Sequence, residues 1–138
     1  MMKRMHKKSK GFTFIEMLVV AVLIAVLTTI VMVSFASASK KTRDSRRKKD
    51  LMNTQVALEA YRQSNAVYPN SLNGLVPDNI ESVPHDPKQA SGWNDYTYTR
   101  PTTVTYRLVG YLENTNDPDA NGSAYGLPSN AYVLVQPN

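Results

Sequence analysis

The segment from Phe12 to Phe35 constrains this chain more than any other feature of its 138 residues. It runs for twenty-four residues with a single charge, Glu16, and with neither glycine nor proline. At about 1.5 Å of rise per residue, a helix of this length crosses a hydrocarbon core of about 30 Å. The sequence therefore predicts a membrane-inserted helix over residues 12–35.

Other interpretations of this segment stay open on the residues alone. Ala36, Ser37 and Ala38 form an A-x-A tripeptide, so a signal peptidase cutting after Ala38 would release a soluble binding domain. Against this, the apolar run is longer than the roughly 7 to 15 residues typical of a signal peptide. An ordinary single-pass anchor and a monotopic anchor with a cytoplasmic domain are further alternatives. Basic residues flank both ends of the segment, so charge alone does not fix its orientation.

Glu16 is a charge inside an apolar span, and it needs a partner. Such a charge costs on the order of 3 kcal/mol at the centre of a membrane helix and less near its end. If the chain were cut between Gly11 and Phe12, Glu16 would lie in the first helical turns, where the macrodipole favours negative charge. The new α-amino group could then pair with a carboxylate, either its own or that of a neighbouring subunit.

The residues GFTFIEMLVV, which follow a short basic leader, resemble the class III signal of type IV pilins, type II secretion pseudopilins and competence pseudopilins. The resemblance implies that a prepilin peptidase cuts after Gly11 and methylates the amine of Phe12. It also implies that Glu16 pairs with the N-terminus of a neighbouring subunit during assembly. The helix departs from many members of this family because its first half lacks the glycine or proline that permits a kink.

The same resemblance implies a function and a location. The chain would be a structural subunit, not an enzyme, that polymerises through its N-terminal helix into a type IV pilus or a type II secretion-like filament. Its partners would be copies of itself in a helical filament, the prepilin peptidase, a membrane assembly platform with its ATPase, and the lipid bilayer before assembly. It would be a single-pass protein of the inner (cytoplasmic) membrane with an extracytoplasmic C-terminal domain. It would later enter an extracellular or periplasmic filament.

The expected fold class is α+β, in the form of the pilin fold. A long N-terminal α-helix, transmembrane in its first half, would pack on a small antiparallel β-sheet. Helix formers dominate the stretch before Asn65, and no glycine or proline interrupts it, so one helix should run to about Ser64. The expected segments are a basic leader (1–11), a transmembrane half (12–35), an amphipathic half (36–65), and a loop with an antiparallel sheet (66–138).

The amphipathic half of the predicted helix has two apolar faces. The first consists of Leu51, Leu58 and Tyr61, and the second consists of Met52, Val56 and Ala60. Two arrangements stay open. Either the chain's own domain covers both faces, or one face packs on the sheet and the other on neighbouring subunits.

Three runs of β-branched and aromatic residues predict strands in the C-terminal domain. They are Tyr96–Thr99, Val104–Glu113 and Tyr132–Gln136. The apolar residues that alternate onto one face of the middle strand are Val104, Tyr106, Leu108 and Leu112. This face is expected to pack on the helix in a sheet of three or four strands. The YP, VPxDP and YxY elements of this domain also resemble the globular part of major secretion-type pseudopilins.

The net charge of +5 is unevenly distributed. Five basic residues precede position 11, and seven lie between Lys40 and Lys49. From Leu51 onward the chain is acidic, with four basic residues against eight acids. We interpret the basic run as a solvated helical face that would meet acidic neighbouring domains in a filament, and we expect no direct nucleic-acid partner. The chain has no cysteine, which excludes disulfides and thiol chemistry.

Two loop motifs suggest chemistry but do not support a site. Asp117, Asp119, Asn121 and Gly122 spell D-x-D-x-N-G, the opening of an EF-hand, yet Pro128 stands where the final glutamate is required. Calcium in a C-terminal loop is known for major secretion pseudopilins, but turn preferences favour an Asx-rich turn here. We therefore assign no metal and no cofactor.

The other motif is His85 beside Asp86, with Ser82 near it. A catalytic interpretation would need a third group that orients the pair within a cleft. The sequence indicates none, so we interpret these as loop residues and assign no catalytic residue.

Overall fold

The structure is a computed structural model that describes residues 11–136, and it does not describe the side chains of residues 30–34. The chain divides between Ser37 and Ala38 into two compact units. Its elements are helix α1 (Phe14–Asn65) and strands β1 (Thr97–Thr102), β2 (Thr105–Tyr111) and β3 (Ala131–Val135), with short 3-10 helices at Leu72–Leu75, Gln89–Ser91 and Gly122–Tyr125. The α+β fold class is confirmed, and residues 1–10 of the predicted leader lie outside the described residues.

Helix α1 ends one residue beyond the predicted Ser64. The side-chain amide of Asn65 donates to the carbonyl oxygen of Tyr61 at 2.9 Å and so occupies one carbonyl of the last turn. Ala66 has a φ of 62°, in the left-handed region, which turns the chain out of the helix. Pro69 follows shortly after and cannot continue a helix.

The three strands form an antiparallel sheet in the order β1-β2-β3. All three predicted strands are present, and their ends differ from the prediction by at most three residues, the largest difference being the end of β1 at Thr102 instead of Thr99. The prediction for Val104 was wrong. It lies in the turn between β1 and β2 and is exposed, because the pairing closes at Thr102 and Thr105.

The main core lies between α1 and the sheet. Leu51 and Leu58 on the helix are buried together with Tyr106 and Leu108, which project from one face of β2. Full burial of a leucine side chain contributes about 1.5–3 kcal/mol to folding. The even-numbered residues of β2 therefore face the helix, as the period of two in the sequence predicted.

The second apolar face of α1 is uncovered. Met52 and Val56 are 53% and 69% exposed. The arrangement in which the chain's own domain covers both faces is therefore wrong. The opposite face of the sheet is instead buried by the C-terminal loop, where Val109 and Val133 pack with Leu127.

Six charged residues form a cluster at one end of this core, which we call the ionic cluster. Its members are Arg43, Asp44, Arg47, Asp86, Lys88 and Glu113. At its centre the Arg47 side chain is fully buried, and its guanidinium binds Asp86 through two hydrogen bonds of 2.6 and 3.0 Å. It also donates to Asp44 at 2.7 Å and to Glu113 at 2.9 Å. Three positive and three negative side chains balance, as buried charges require.

Backbone groups complete the ionic cluster. Asp44 accepts hydrogen bonds from the amides of Glu113 and Asn114, both at 2.9 Å. Arg43 binds Glu113 through two hydrogen bonds of 2.6 and 2.8 Å. We interpreted the basic run as a solvated helical face. This was wrong for Arg43 and Arg47, because both bind carboxylates of the same chain.

The ionic cluster predicts how stability depends on pH. Hydrogen bonds from Arg43 hold the pKa of Glu113 at about 2, well below its ordinary value, against the opposing effect of burial. A carboxyl group whose pKa is lowered by folding contributes its full stabilisation at pH values above its ordinary pKa of about 4.5. That contribution is lost as the pH falls through the pKa of the group in the folded state. We expect Glu113→Gln to lower the free energy of unfolding by about 3 kcal/mol at neutral pH. The loss of stability between about pH 4.5 and 2 should also become shallower in the variant.

Unfolding of the full chain by guanidinium chloride in detergent, followed by the fluorescence of Trp93, measures both effects. The matched control is Glu81→Gln, which removes the same charge from an exposed position without an ion pair among the described residues. Equal unfolding curves for the two variants at every pH would contradict the role given to Glu113.

Candidate functional site

The predicted processing and assembly residues lie at the start of α1. Gly11 and Phe12 precede the helix and are exposed, and a side chain at Gly11 would meet no atom within 4 Å. The peptide bond between them is therefore accessible among the described residues. Glu16 lies in the first turn of the helix, as predicted.

Thr13 and Glu16 form a capping box. The Thr13 amide and hydroxyl both donate to Oε2 of Glu16 at 2.8 Å, and the Glu16 amide donates to the Thr13 hydroxyl oxygen at 3.3 Å. Thr13 is thus the N-cap, and Glu16 is the third residue of the helix. These reciprocal bonds satisfy backbone donors that no helical carbonyl can reach.

This capping box was not predicted, although its signature is visible in the sequence. Thr13 and Glu16 have the T-x-x-E spacing that starts many helices. Sequence reasoning gave Glu16 one role, as a partner for an amino group. The structure adds a second role, in which its Oε2 atom fixes the first turn, while its Oε1 atom has no hydrogen bond with any described residue.

The first part of α1 presents apolar side chains to its surroundings. Phe12 and Phe14 are 80% and 84% exposed, and the large apolar residues up to Leu27 are at least 46% exposed. A continuous apolar surface of this kind marks a contact with lipid or with another protein. The predicted span of residues 12–35 includes 30–34, whose side chains are not described. Among the described residues, no helical stretch meets the length and apolarity needed to cross a bilayer.

The second motif, at His85, forms a pair but not with Asp86. Nδ1 of His85 lies 2.6 Å from Oδ2 of Asp95 at the surface. Oδ1 of Asp95 in turn accepts the amides of Asp86 and Tyr96, both at 2.8 Å. Burial raises the pKa of Asp95, but these hydrogen bonds outweigh it, so the net shift of the pKa is downward. The pair shapes the loop before β1, and Asp86 belongs to the ionic cluster.

Comparison with known proteins identifies the family. Residues 6–32 match the prokaryotic N-terminal methylation motif. Type II secretion system core protein G of Vibrio cholerae serotype O1 is 31% identical over 134 residues, which cover 96% of this chain and 80% of that protein. The protein of the same name from Escherichia coli K12 is 29% identical over 97 residues, which cover 70% of this chain and 66% of that protein.

A third relative with this name, from Pseudomonas aeruginosa, is 28% identical over 99 residues, or 72% of this chain and 68% of that protein. No solved structure is significantly similar to the chain. The resemblance first inferred from GFTFIEMLVV is thus confirmed, and release of a soluble domain after Ala38 is not favoured. The chain belongs to the family of type II secretion system core protein G.

Proposed function

We propose that this chain is a pseudopilin, a structural subunit that polymerises through its N-terminal helix into the filament of a type II secretion system. The observation that carries this proposal is the exposed apolar surface at the start of α1, in which Glu16 is the one charged side chain among the described residues. Lipid would cover that surface before assembly, and the helices of neighbouring subunits would cover it afterwards. The chain acts mechanically and not as an enzyme.

Processing creates the partner that Glu16 needs. A prepilin peptidase cuts after Gly11 and methylates the amine of Phe12, which remains positively charged. The capping box supports the next step, because it holds Glu16 through Oε2 and leaves Oε1 for the N-terminus of a neighbouring subunit. An ion pair exchanged between subunits leaves no charge unpaired in the apolar interior of a filament and fixes the axial register.

Location and further partners follow from this cycle. Before assembly, the subunit lies in the inner membrane as a single-pass protein, with residues 12–35 in the bilayer and the C-terminal domain outside the cytoplasm. An assembly platform with its ATPase then extracts it into the filament. The second compact unit remains on the filament surface, where its exposed residues Met52 and Val56 are available to neighbouring subunits.

The N-terminus of the protein from cells tests the processing step. We expect mass spectrometry to find a chain that starts at Phe12 and carries one methyl group on its amine. Deletion of the prepilin peptidase should leave the leader of residues 1–11 attached. A chain that starts at Ser39 would contradict the proposal and support a secreted domain.

Two substitutions separate the roles of Glu16 in assembly and in helix capping. Glu16→Gln keeps an acceptor at the third helical position, where glutamine also completes a capping box, but it removes the charge. Glu16→Ala removes both. If the ion pair drives assembly, both variants should insert into the membrane as the native chain does and yield at least tenfold fewer filaments, counted by electron microscopy.

Thr13→Ala is the control for capping alone, because it removes the N-cap hydroxyl and keeps the carboxylate. It should cost about 1 kcal/mol of helix stability and reduce filament number less than either substitution of Glu16 does. Normal filament numbers with Glu16→Gln would contradict the charge pairing and leave Glu16 with capping as its only role.

A further inference from the structure

The loop after β2 contains the D-x-D-x-N-G motif, and its two aspartates converge on a lysine of α1. Nζ of Lys48 lies 2.6 Å from Oδ1 of Asp117 and 2.6 Å from Oδ2 of Asp119. The side chains of Lys48 and Asp117 are 19% and 13% exposed, so this contact is largely shielded from water. Oδ1 of Asp117 also accepts the amide of Asp119 at 3.0 Å, which is the predicted Asx turn.

The other half of the motif covers the outer edge of β3. The side-chain amide of Asn121 donates to the Val133 carbonyl at 3.0 Å, and its oxygen accepts the Val133 amide at 2.8 Å. Its backbone amide donates to the carbonyl of Ala131 at 3.0 Å. Asn121 therefore satisfies backbone groups that an edge strand would otherwise leave open.

Gly122 completes this arrangement because the backbone approaches it closely. A Cβ atom at this position would clash with the carbonyl oxygen of Pro128 and would lie 2.6 Å from Cβ of Ala131. Any other residue would push the loop away from β3. The glycine of the motif thus serves packing, and each of its four named residues has a partner or a steric role within the chain.

The donor set does not fit the calcium that the family resemblance implies. Calcium takes six to eight oxygen ligands, mostly carboxylate and carbonyl. Here an ammonium group lies at the point where the two carboxylates converge, and the Asn121 oxygen is engaged by β3. Among residues 11–136, no group of three or more acidic or histidine side chains is placed to hold a metal ion.

We infer that Lys48 is the built-in cation of this loop and takes the structural role that a bound divalent cation would have. Because Lys48 belongs to α1, one side chain both neutralises the loop and fastens it to the helix. One lysine neutralises only one of the two carboxylates. The side chain of Asp119 is 61% exposed, so water screens the remaining negative charge. The C-terminal loop of this chain therefore folds without calcium.

The charge states agree with this geometry. Burial lowers the pKa of Lys48, but hydrogen bonds to Asp117 and Asp119 outweigh it, so the net shift is upward. Burial raises the pKa of Asp117, but hydrogen bonds from Lys48 and from the Asp119 amide outweigh it, so the net shift is downward. Each partner thus favours the charged form of the other.

Thermal unfolding of the full chain in detergent tests the inference. The native chain should have the same Tm in excess chelator and in about 5 mM calcium, a concentration above the binding range of extracellular calcium modules. Lys48→Met should lower the Tm by about 5 °C or more, because it leaves the largely buried carboxylate of Asp117 without a cation. Lys49→Met is the matched control, since this neighbouring lysine is exposed and makes no ion pair among the described residues.

A double substitution keeps the test decisive if Lys48→Met folds poorly. Asp117→Asn together with Lys48→Met returns the net charge of these three side chains to its native value and should recover part of the lost Tm, so that the two substitutions are not additive. A native chain whose Tm rises with calcium and falls with chelator would overturn the inference. Equal Tm values for Lys48→Met and Lys49→Met would overturn it as well.

Discussion

The fold of the second unit depends on one buried guanidinium, that of Arg47. It joins a carboxylate of α1, Asp44, to one in the loop before β1, Asp86, and one just beyond β2, Glu113. The chain has no cysteine, so no disulfide can make such a link between distant segments. Removing one partner from a buried ion cluster costs about 3–5 kcal/mol, a large share of the stability of a small domain. The hydrophobic core fixes the layers, and the ionic cluster fixes how they are joined.

Glu16 contrasts with Arg47, because the chain satisfies only part of its hydrogen-bonding capacity. The guanidinium of Arg47 donates hydrogen bonds to three carboxylates of the same molecule, whereas one oxygen of Glu16 has no partner among the described residues. The apolar side chains around Glu16 are also exposed. The buried charge of the second unit is thus paired within the chain, whereas the first unit exposes a carboxylate oxygen and an apolar surface. This division is what a subunit needs if it is stored in a membrane and later polymerised.

Local patterns predicted most of the fold, and long-range electrostatic contacts could not be predicted. Helix α1 and the three strands follow from helix formers, alternation and turn residues, and their ends shifted by only a few positions. Lysines and arginines in a run are usually solvated, so nothing in the sequence separates Arg47 and Lys48 from exposed Lys49. Apart from Asp44, which lies three residues before Arg47, the carboxylates that pair with Arg47 and Lys48 lie 39 to 71 residues away. The capping box of Thr13 and the pair of Asp44 with Arg47 were missed although both have a local spacing of three residues.

We propose that the N-terminus of one subunit pairs with Glu16 of another, and cross-linking of filaments tests this most directly. Zero-length carbodiimide coupling joins a carboxylate directly to an amine in contact with it. In filaments assembled from an equal mixture of unlabelled and nitrogen-15-labelled subunits, mass spectrometry of the coupled peptides distinguishes a pair within one subunit from a pair between two. We predict coupling of the Phe12 amine to Glu16 in peptides of mixed labelling. Coupled peptides of uniform labelling only, or no coupling at Glu16, would contradict the account.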